Sequence, residues 1–191
     1  MYYKATLFVF IFFNIWGCQP TEIFKPIVFD NSNFNKISIN AKEIQVKNKY
    51  EQKFSDTNIE NNFKNPPIVR IESWIQDNIN IFGNENIFVI NVLDASINRK
   101  EIINENAKKL EEKTIYIYEV FILVEYELYD NSNYLIANTT VESFRTSTSK
   151  KYISINETQN IIDEIIFNSI KDFTNESHLM IREYMGQYLV D

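Results

Sequence analysis

Two side chains that occur once in this sequence could do chemistry, Cys18 near the start and His178 near the end. A thiolate is a strong nucleophile and metal ligand, and an imidazole is the natural acid–base group near neutral pH. A zinc-type centre needs four ligands, at least three of them from protein, and His178 supplies one. A Ser-His-Asp arrangement would also have to be built on His178, which reads more simply as a polar residue on a helix. Paired carboxylates occur at Glu125/Glu127 and at Glu111-Glu112. The first pair sits on the less apolar face of a strand and the second in a loop, so both read as solvated surface rather than acid–base machinery. Asp94, within Leu93-Asp94-Ala95-Ser96, interrupts an apolar run and reads as a strand end facing water. The glycines are Gly17, Gly83 and Gly186, which leaves no phosphate-cradling loop. No catalytic residue, metal-ligand set or cofactor site is expected, and the chain is not expected to be an enzyme. The chemistry concentrates on Cys18.

Lys4 precedes a run, residues 5–16, that is apolar except for Thr6 and Asn14. That run suits a signal peptide and is too short to span a bilayer, which takes about 20 apolar residues. It ends in Ile15-Trp16-Gly17-Cys18. This pattern resembles the lipobox of bacterial lipoproteins: a branched apolar residue, a variable one, a small one, then Cys. Trp16 departs from it, because that position usually holds something small. The resemblance implies cleavage after Gly17, a diacylglycerol on the Cys18 thiol, palmitate or a similar acyl chain, and attachment to a membrane through Cys18. Gln19 replaces the Asp that retains lipoproteins at the inner membrane in many diderm bacteria. The expected place is therefore the outer membrane, with the domain in the periplasm and the inner membrane as the alternative.

The single Cys leaves no thiol for a disulfide after export, so the fold must hold through its own core. The net charge is −7, and loss of Lys4 with the signal peptide makes it −8. Such an acidic chain is a poor partner for nucleic acid. Asn occurs 25 times and Ile 30 times, the usage of a genome rich in A and T. Asn therefore loses much of its value as a turn signal.

The elements that must position these residues follow from periodicity. Residues 18–36 hold Pro20, Pro26 and an Asn-rich stretch, and read as a flexible tether after the lipidated Cys18. Residues 37–47 alternate in two phases, which one strand with a bulge near Lys42-Glu43 would reconcile. Residues 50–65 read as loop. Pro66-Pro67 opens a helix whose face is Ile68, Ile71, Trp74, Ile75, Ile79 and Phe82, with Gly83 as its C-terminal cap. Three strands follow, at 87–97, 114–129 and 134–147, with 98–113 as a long mobile hairpin loop. Ser154 and Glu157 match a capping box before a last helix. Its stripe is Ile162, Ile166, Ile170, Phe173, Ser177, Met180, Tyr184 and Tyr188, and a break near Thr174–Ser177 is considered. The expected fold is α+β: a four-stranded, mainly antiparallel sheet with two helices on one face, in the order β-α-β-β-β-α. It forms one domain over 37–191, after a signal peptide at 1–17 and the tether.

Tyr116, Tyr118 and Tyr126 share the apolar face of the strand at 114–129. They read as core, with a lipid-holding groove between sheet and helices as the rival reading. Beyond the lipobox, the mature region resembles a poorly characterised alphaproteobacterial family of envelope lipoproteins. The resemblance rests on Ile39-Asn40-Ala41-Lys42-Glu43-Ile44-Gln45-Val46, Pro66-Pro67 with Trp74, Gly83, Leu93-Asp94-Ala95-Ser96 and the helix from Ser154. The order of elements is similar to that of the lipopolysaccharide-assembly lipoprotein and of auxiliary lipoproteins of ABC-type lipid transporters. The resemblance implies a non-enzymatic, lipid-anchored accessory protein that docks on an envelope assembly or lipid-transport complex. The alternative is a periplasmic domain that binds a lipid or fatty acid.

Overall fold

The structure, a computed structural model, describes residues 27–53, 55–109 and 111–190. Cys18 and the expected signal peptide lie outside these residues. The elements in chain order are β1 (Ile37–Ile39), β2 (Glu43–Asn48), α1 (Pro67–Asn78), β3 (Ile79–Ile81), β4 (Ile87–Ile103), β5 (Thr114–Tyr129), β6 (Leu135–Lys150) and α2 (Ile155–Met185). The main sheet has the order β2-β4-β5-β6. β4, β5 and β6 form an antiparallel meander, and β2 joins β4 in parallel. A parallel pair needs a crossover, and α1 provides it. The α+β architecture, with a four-stranded sheet and two helices, is as expected from the sequence.

β5 shows why one face is core. Tyr118, Val120, Ile122, Val124, Tyr126 and Leu128 are all at most 1% exposed, while Glu119, Phe121, Leu123, Glu125 and Glu127 alternate with them on the opposite face. From β4 come Phe88, Ile90, Val92, Ala95 and Ile97, and from the helices Trp74, Ile166, Ile170 and Phe173. Trp74 meets Phe173 edge-on at 5.4 Å between ring centres, joining the two helices. Phe88 stacks on Tyr126 at 5.9 Å.

Several boundaries differ from the sequence reading. Residues 37–47 are two strands in two sheets rather than one bulged strand. β1 pairs in parallel with β3, and the chain end lies on its other side, with Asn40 N–H donating to the Tyr188 carbonyl at 2.7 Å. α1 stops at Asn78, four residues before Phe82, because Ile79 and Ile81 gain more by pairing with β1. Gly83 is therefore not a helix cap. It follows β3 at φ +145°, so close to Asn40 that a Cβ would fall 2.0 Å from Oδ1. β4 continues to Ile103, which shortens the expected hairpin loop to residues 104–113. β6 starts one residue later than expected, at Leu135, and ends three residues later, at Lys150.

α2 is continuous through Thr174 and Ser177. Those polar side chains do not break the helix; they are buried at 2% and 0% exposure. Ser177 Oγ hydrogen-bonds the Tyr126 hydroxyl at 2.8 Å, and Ser143 Oγ reaches the Ser169 carbonyl at 3.1 Å. Small hydroxyls at these positions let the helix settle close to the sheet while each hydroxyl keeps a partner. Further along, Ile181 and Met185 are buried, whereas Tyr184 is 55% exposed and falls off the expected stripe. At the start of α2, Ser154 Oγ accepts the Glu157 N–H at 3.1 Å, the first half of the expected capping box.

The described part of the expected tether, residues 27–36, is held against α1. Asn31 Nδ2 donates to Ser73 Oγ at 2.9 Å and Asp77 Oδ2 at 2.7 Å. Buried Asn78 donates to the carbonyls of Asn31 and Phe34 at 2.9 and 3.0 Å. Phe29 packs edge-on against Phe167 at 5.5 Å, with the Arg70 guanidinium 3.6 Å over its ring.

Candidate functional site

The structure separates the residues that could do chemistry. His178 is half-buried on α2 and lines a cavity of about 250 Å³ with Lys36, Ser38 and Arg182, and no Asp or Glu is among the described residues lining it. Among the described residues, no group of three His, Cys, Asp or Glu side chains could hold a metal ion. Asp94 does not end a strand. It follows a bulge at Leu93 inside β4, where its Oδ1 accepts the Ser96 N–H at 2.9 Å and holds the bulge in shape. Glu111 and Glu112 are tied to backbone: Glu111 accepts the Lys108 N–H at 3.0 Å and Glu112 accepts the Lys151 N–H at 2.8 Å.

Glu125 and Glu127 lie on the sheet face turned away from the helices. Asn91 on β4 reaches both with one nitrogen, at 3.0 and 2.7 Å, so the pair is cross-linked by an amide donor. The neighbouring Tyr129 phenol is pushed up from its usual value, by desolvation first and then by hydrogen bonding to Glu127 and the charge of both carboxylates. The same face carries Phe121 and Phe144, edge-on at 6.5 Å, with Phe144 56% exposed. Lys100 and Glu119 form an ion pair there at 2.5 Å.

The tyrosine face is packed. Tyr118 is 1% exposed with its hydroxyl 3.3 Å from Ser149 Oγ, and Tyr126 is fully buried against Ser177. Tyr116 is half-buried, with the Arg99 guanidinium 4.7 Å over its ring. Tyr118 and Tyr126 are thus core residues, with Tyr116 packed at the edge of the same core.

Sequence reasoning passed over Glu60, which is 1% exposed. Its Oε1 accepts the Tyr50 hydroxyl, Asn58 Nδ2 at 2.8 Å and the Ile97 N–H at 3.1 Å. This carboxylate closes the loop 50–65 onto β4, where residues 57–59 pair with residues 97–99 beyond the end of β2. The loop's polar, aperiodic sequence held no sign of it. The structure also shows a groove that sequence reasoning did not predict. It lies between the outer strand β6 and α2, holds about 420 Å³, and is lined by Glu142, Phe144, Asp172 and Glu176 among others. Asp172 pairs with Arg145 across it.

No described helix is long and apolar enough to cross a membrane. No family model matches this chain, nor does any curated protein sequence. The alphaproteobacterial family suggested by the sequence is therefore unsupported by a match. Two solved structures are loosely similar in shape. A minor lipoprotein from Acinetobacter baumannii is 14% identical with a TM-score of 0.36, over 74% of this chain and 96% of that one. A neuraminyllactose-binding hemagglutinin homolog from Helicobacter pylori is 11% identical with a TM-score of 0.33, over 86% of this chain and 94% of that one. Likeness at this level is one of general shape, and no function is carried over from it.

Proposed function

We propose that this chain is a non-enzymatic lipoprotein of a bacterial cell envelope, anchored through acylated Cys18, whose domain docks on a larger envelope assembly or lipid-transport complex. The observation that carries the reading is the position of Cys18. The single thiol closes Ile15-Trp16-Gly17-Cys18 at the end of a short apolar run, and the described chain is already docked on α1 by Asn31. Nine residue steps separate Cys18 from Ile27, and fully extended chain covers at most about 3.6 Å per residue. The start of the domain would thus stand within about 30 Å of the membrane. Three acyl chains bind firmly, since each buried CH₂ contributes about 0.8 kcal/mol and one chain alone is marginal. Gln19 favours the outer membrane.

Metabolic labelling tests the anchor. The native chain is expected to incorporate labelled palmitate, and Cys18→Ser to incorporate none and to lose tight membrane association. Labelling of Cys18→Ser would overturn the anchorage. Membrane fractionation tests placement separately, since enrichment with inner-membrane markers would overturn the outer-membrane assignment alone. Mild crosslinking in intact cells tests docking. Recovery of free monomer only would count against an accessory role.

A further inference from the structure

At one end of the main sheet β4 stops, β5 starts and β6 leads into α2. There Ile103, Tyr152 and Ile155 are 74%, 79% and 87% exposed, with Ile102 beside them at 37%. Neighbouring strands lie about 4.8 Å apart, so the ends of β4 and β6 stand within about 10 Å of each other across β5. Single exposed isoleucines are ordinary, but several on one rim mark a surface that meets something apolar. The rim is braced. The Lys151 N–H donates to Glu112 at 2.8 Å, and the Lys151 ammonium pairs with Glu101 at 2.8 Å. Lys108, Lys109 and Lys113 in the adjoining hairpin and Lys150 at the end of β6 are exposed, with no ion pair among the described residues. Residues 100–113 and 150–157 hold six lysines and five glutamates, a net charge of +1 in a chain of −7.

The start of the described chain heads for this same end. Lys36 lines a cavity with His178 and Arg182, whereas Phe29 packs on Phe167. Traced from Lys36 back to Phe29, the chain climbs α2 by eleven residues, about 17 Å, toward the start of the helix. Twelve more residues of helix, about 18 Å, lead from Phe167 to Ile155. The nine residue steps from Ile27 to Cys18 span up to about 30 Å, enough to bring acyl chains on Cys18 level with Ile155. The opposite end of the sheet also exposes apolar side chains, Tyr134 and Leu135. That end is acidic, with Glu127 and Asp130 close by in the chain, and it lies beyond the level of Ser177, which meets Tyr126.

We propose that this rim is the membrane-facing end of the domain, a second contact with the lipid surface that holds the anchor. Ile103, Tyr152 and Ile155 enter the headgroup layer, and Lys108, Lys109, Lys113 and Lys150 face its anionic headgroups. Tyrosine suits that depth, with an apolar ring and a polar tip, and lysines beside an anionic surface add attraction. The proposal rests on the Cys18 anchor and deepens that reading by giving the domain an orientation. One acylated residue on a chain of nine steps fixes distance only. A second contact fixes which way the sheet points, standing β4, β5 and β6 up from the membrane and leaving the far end of the domain to a partner.

The test uses the acylated protein reconstituted into vesicles of phosphatidylethanolamine and phosphatidylglycerol, doped with lipid that carries a nitroxide on its headgroup. With Cys18 acylated, an introduced cysteine is the one free thiol and takes a fluorophore. Asn106→Cys and Asn156→Cys place it at the rim, and Ser132→Cys places it in the turn at the other end, all three at exposed positions. Quenching at the rim is expected to exceed that at Ser132→Cys by at least about 3-fold, because the length of β5 sets the two ends about 50 Å apart. Adding Ile103→Glu with Ile155→Glu, both at the surface, should cut rim quenching by at least about 2-fold, since carboxylates resist entry into lipid. Vesicles of phosphatidylcholine alone should weaken it too. Equal quenching at both ends, stronger quenching at Ser132→Cys, or no response to the glutamates or to loss of the anionic lipid would overturn the proposal. A rim fluorophore that shifts blue with rising protein-to-lipid ratio but is not quenched would assign the rim to a second copy and overturn it as well. Palmitate incorporation is read on the same preparation. Its absence would overturn the anchor and this orientation together, whereas an acylated protein with an unquenched rim would overturn the orientation alone.

Discussion

The Tyr126 hydroxyl and Ser177 Oγ meet at 2.8 Å in the core, joining β5 to α2 at a place where both side chains are fully buried. The bond decides how a helix with polar residues in its middle stays continuous. Burial drives the Tyr126 phenol well above its usual range, an effect that Ser177 partly offsets. A phenol whose folded-state pKa is raised keeps its proton where the unfolded chain loses one. Its contribution is fully present below the unfolded value near 10 and is lost progressively as pH rises above it. Thermal unfolding midpoints are expected to hold below about pH 9 and to fall between about pH 10 and 12. In Tyr126→Phe the neutral-pH loss should be about 1 kcal/mol and the alkaline fall shallower. An equally steep fall in the variant would show that other groups, such as the raised phenol of Tyr50, control it.

Trp74 and Phe173 hold the helices together, both with no exposed surface. Truncation of either leaves a cavity that the surrounding β-branched residues cannot fill. Phe173→Ala is expected to cost about 3–5 kcal/mol in chemical denaturation. Removal of residues 1–17 would take Trp16 away, leaving Trp74 as the one tryptophan. Fluorescence of the mature protein should therefore be blue-shifted when native and shift red on unfolding. Red emission from the native protein would contradict the burial of Trp74.

Glu60 is a structural clamp, with three donors on one oxygen. Glu60→Ala strands the Ile97 N–H and the Tyr50 hydroxyl, at an expected cost of about 2–3 kcal/mol. Glu60→Gln retains an acceptor and should cost less. It should also lower the Tyr50 phenol, which is raised by burial first and then by its bond to Glu60 and that carboxylate's charge. Spectroscopic titration of the two proteins distinguishes these effects. Equal stability of native and Glu60→Ala proteins would remove the clamp from this account.

The sequence alone determined the parts that depend on local pattern. The alternation along residues 114–129 specified β5 and its buried face, because a strand's period of two needs no distant partner to be read. The cap at Ser154 and the apolar spacing after it specified α2, and the spacing of Ile71, Trp74 and Ile75 specified α1. Cys18 with its preceding apolar run is likewise a local pattern, and it carries the proposed anchor. Tertiary structure decided what depends on competition between partners. Ile79 and Ile81 suit a helix face as well as a strand, and only pairing with β1 draws them out of α1. Thr174 and Ser177 look like a break until Tyr126 is placed opposite Ser177. Glu60 has no local sign of burial, because its three donors come from Tyr50, Asn58 and Ile97. The Arg145–Asp172 ion pair exists only because α2 packs beside β6 and brings together residues far apart in sequence.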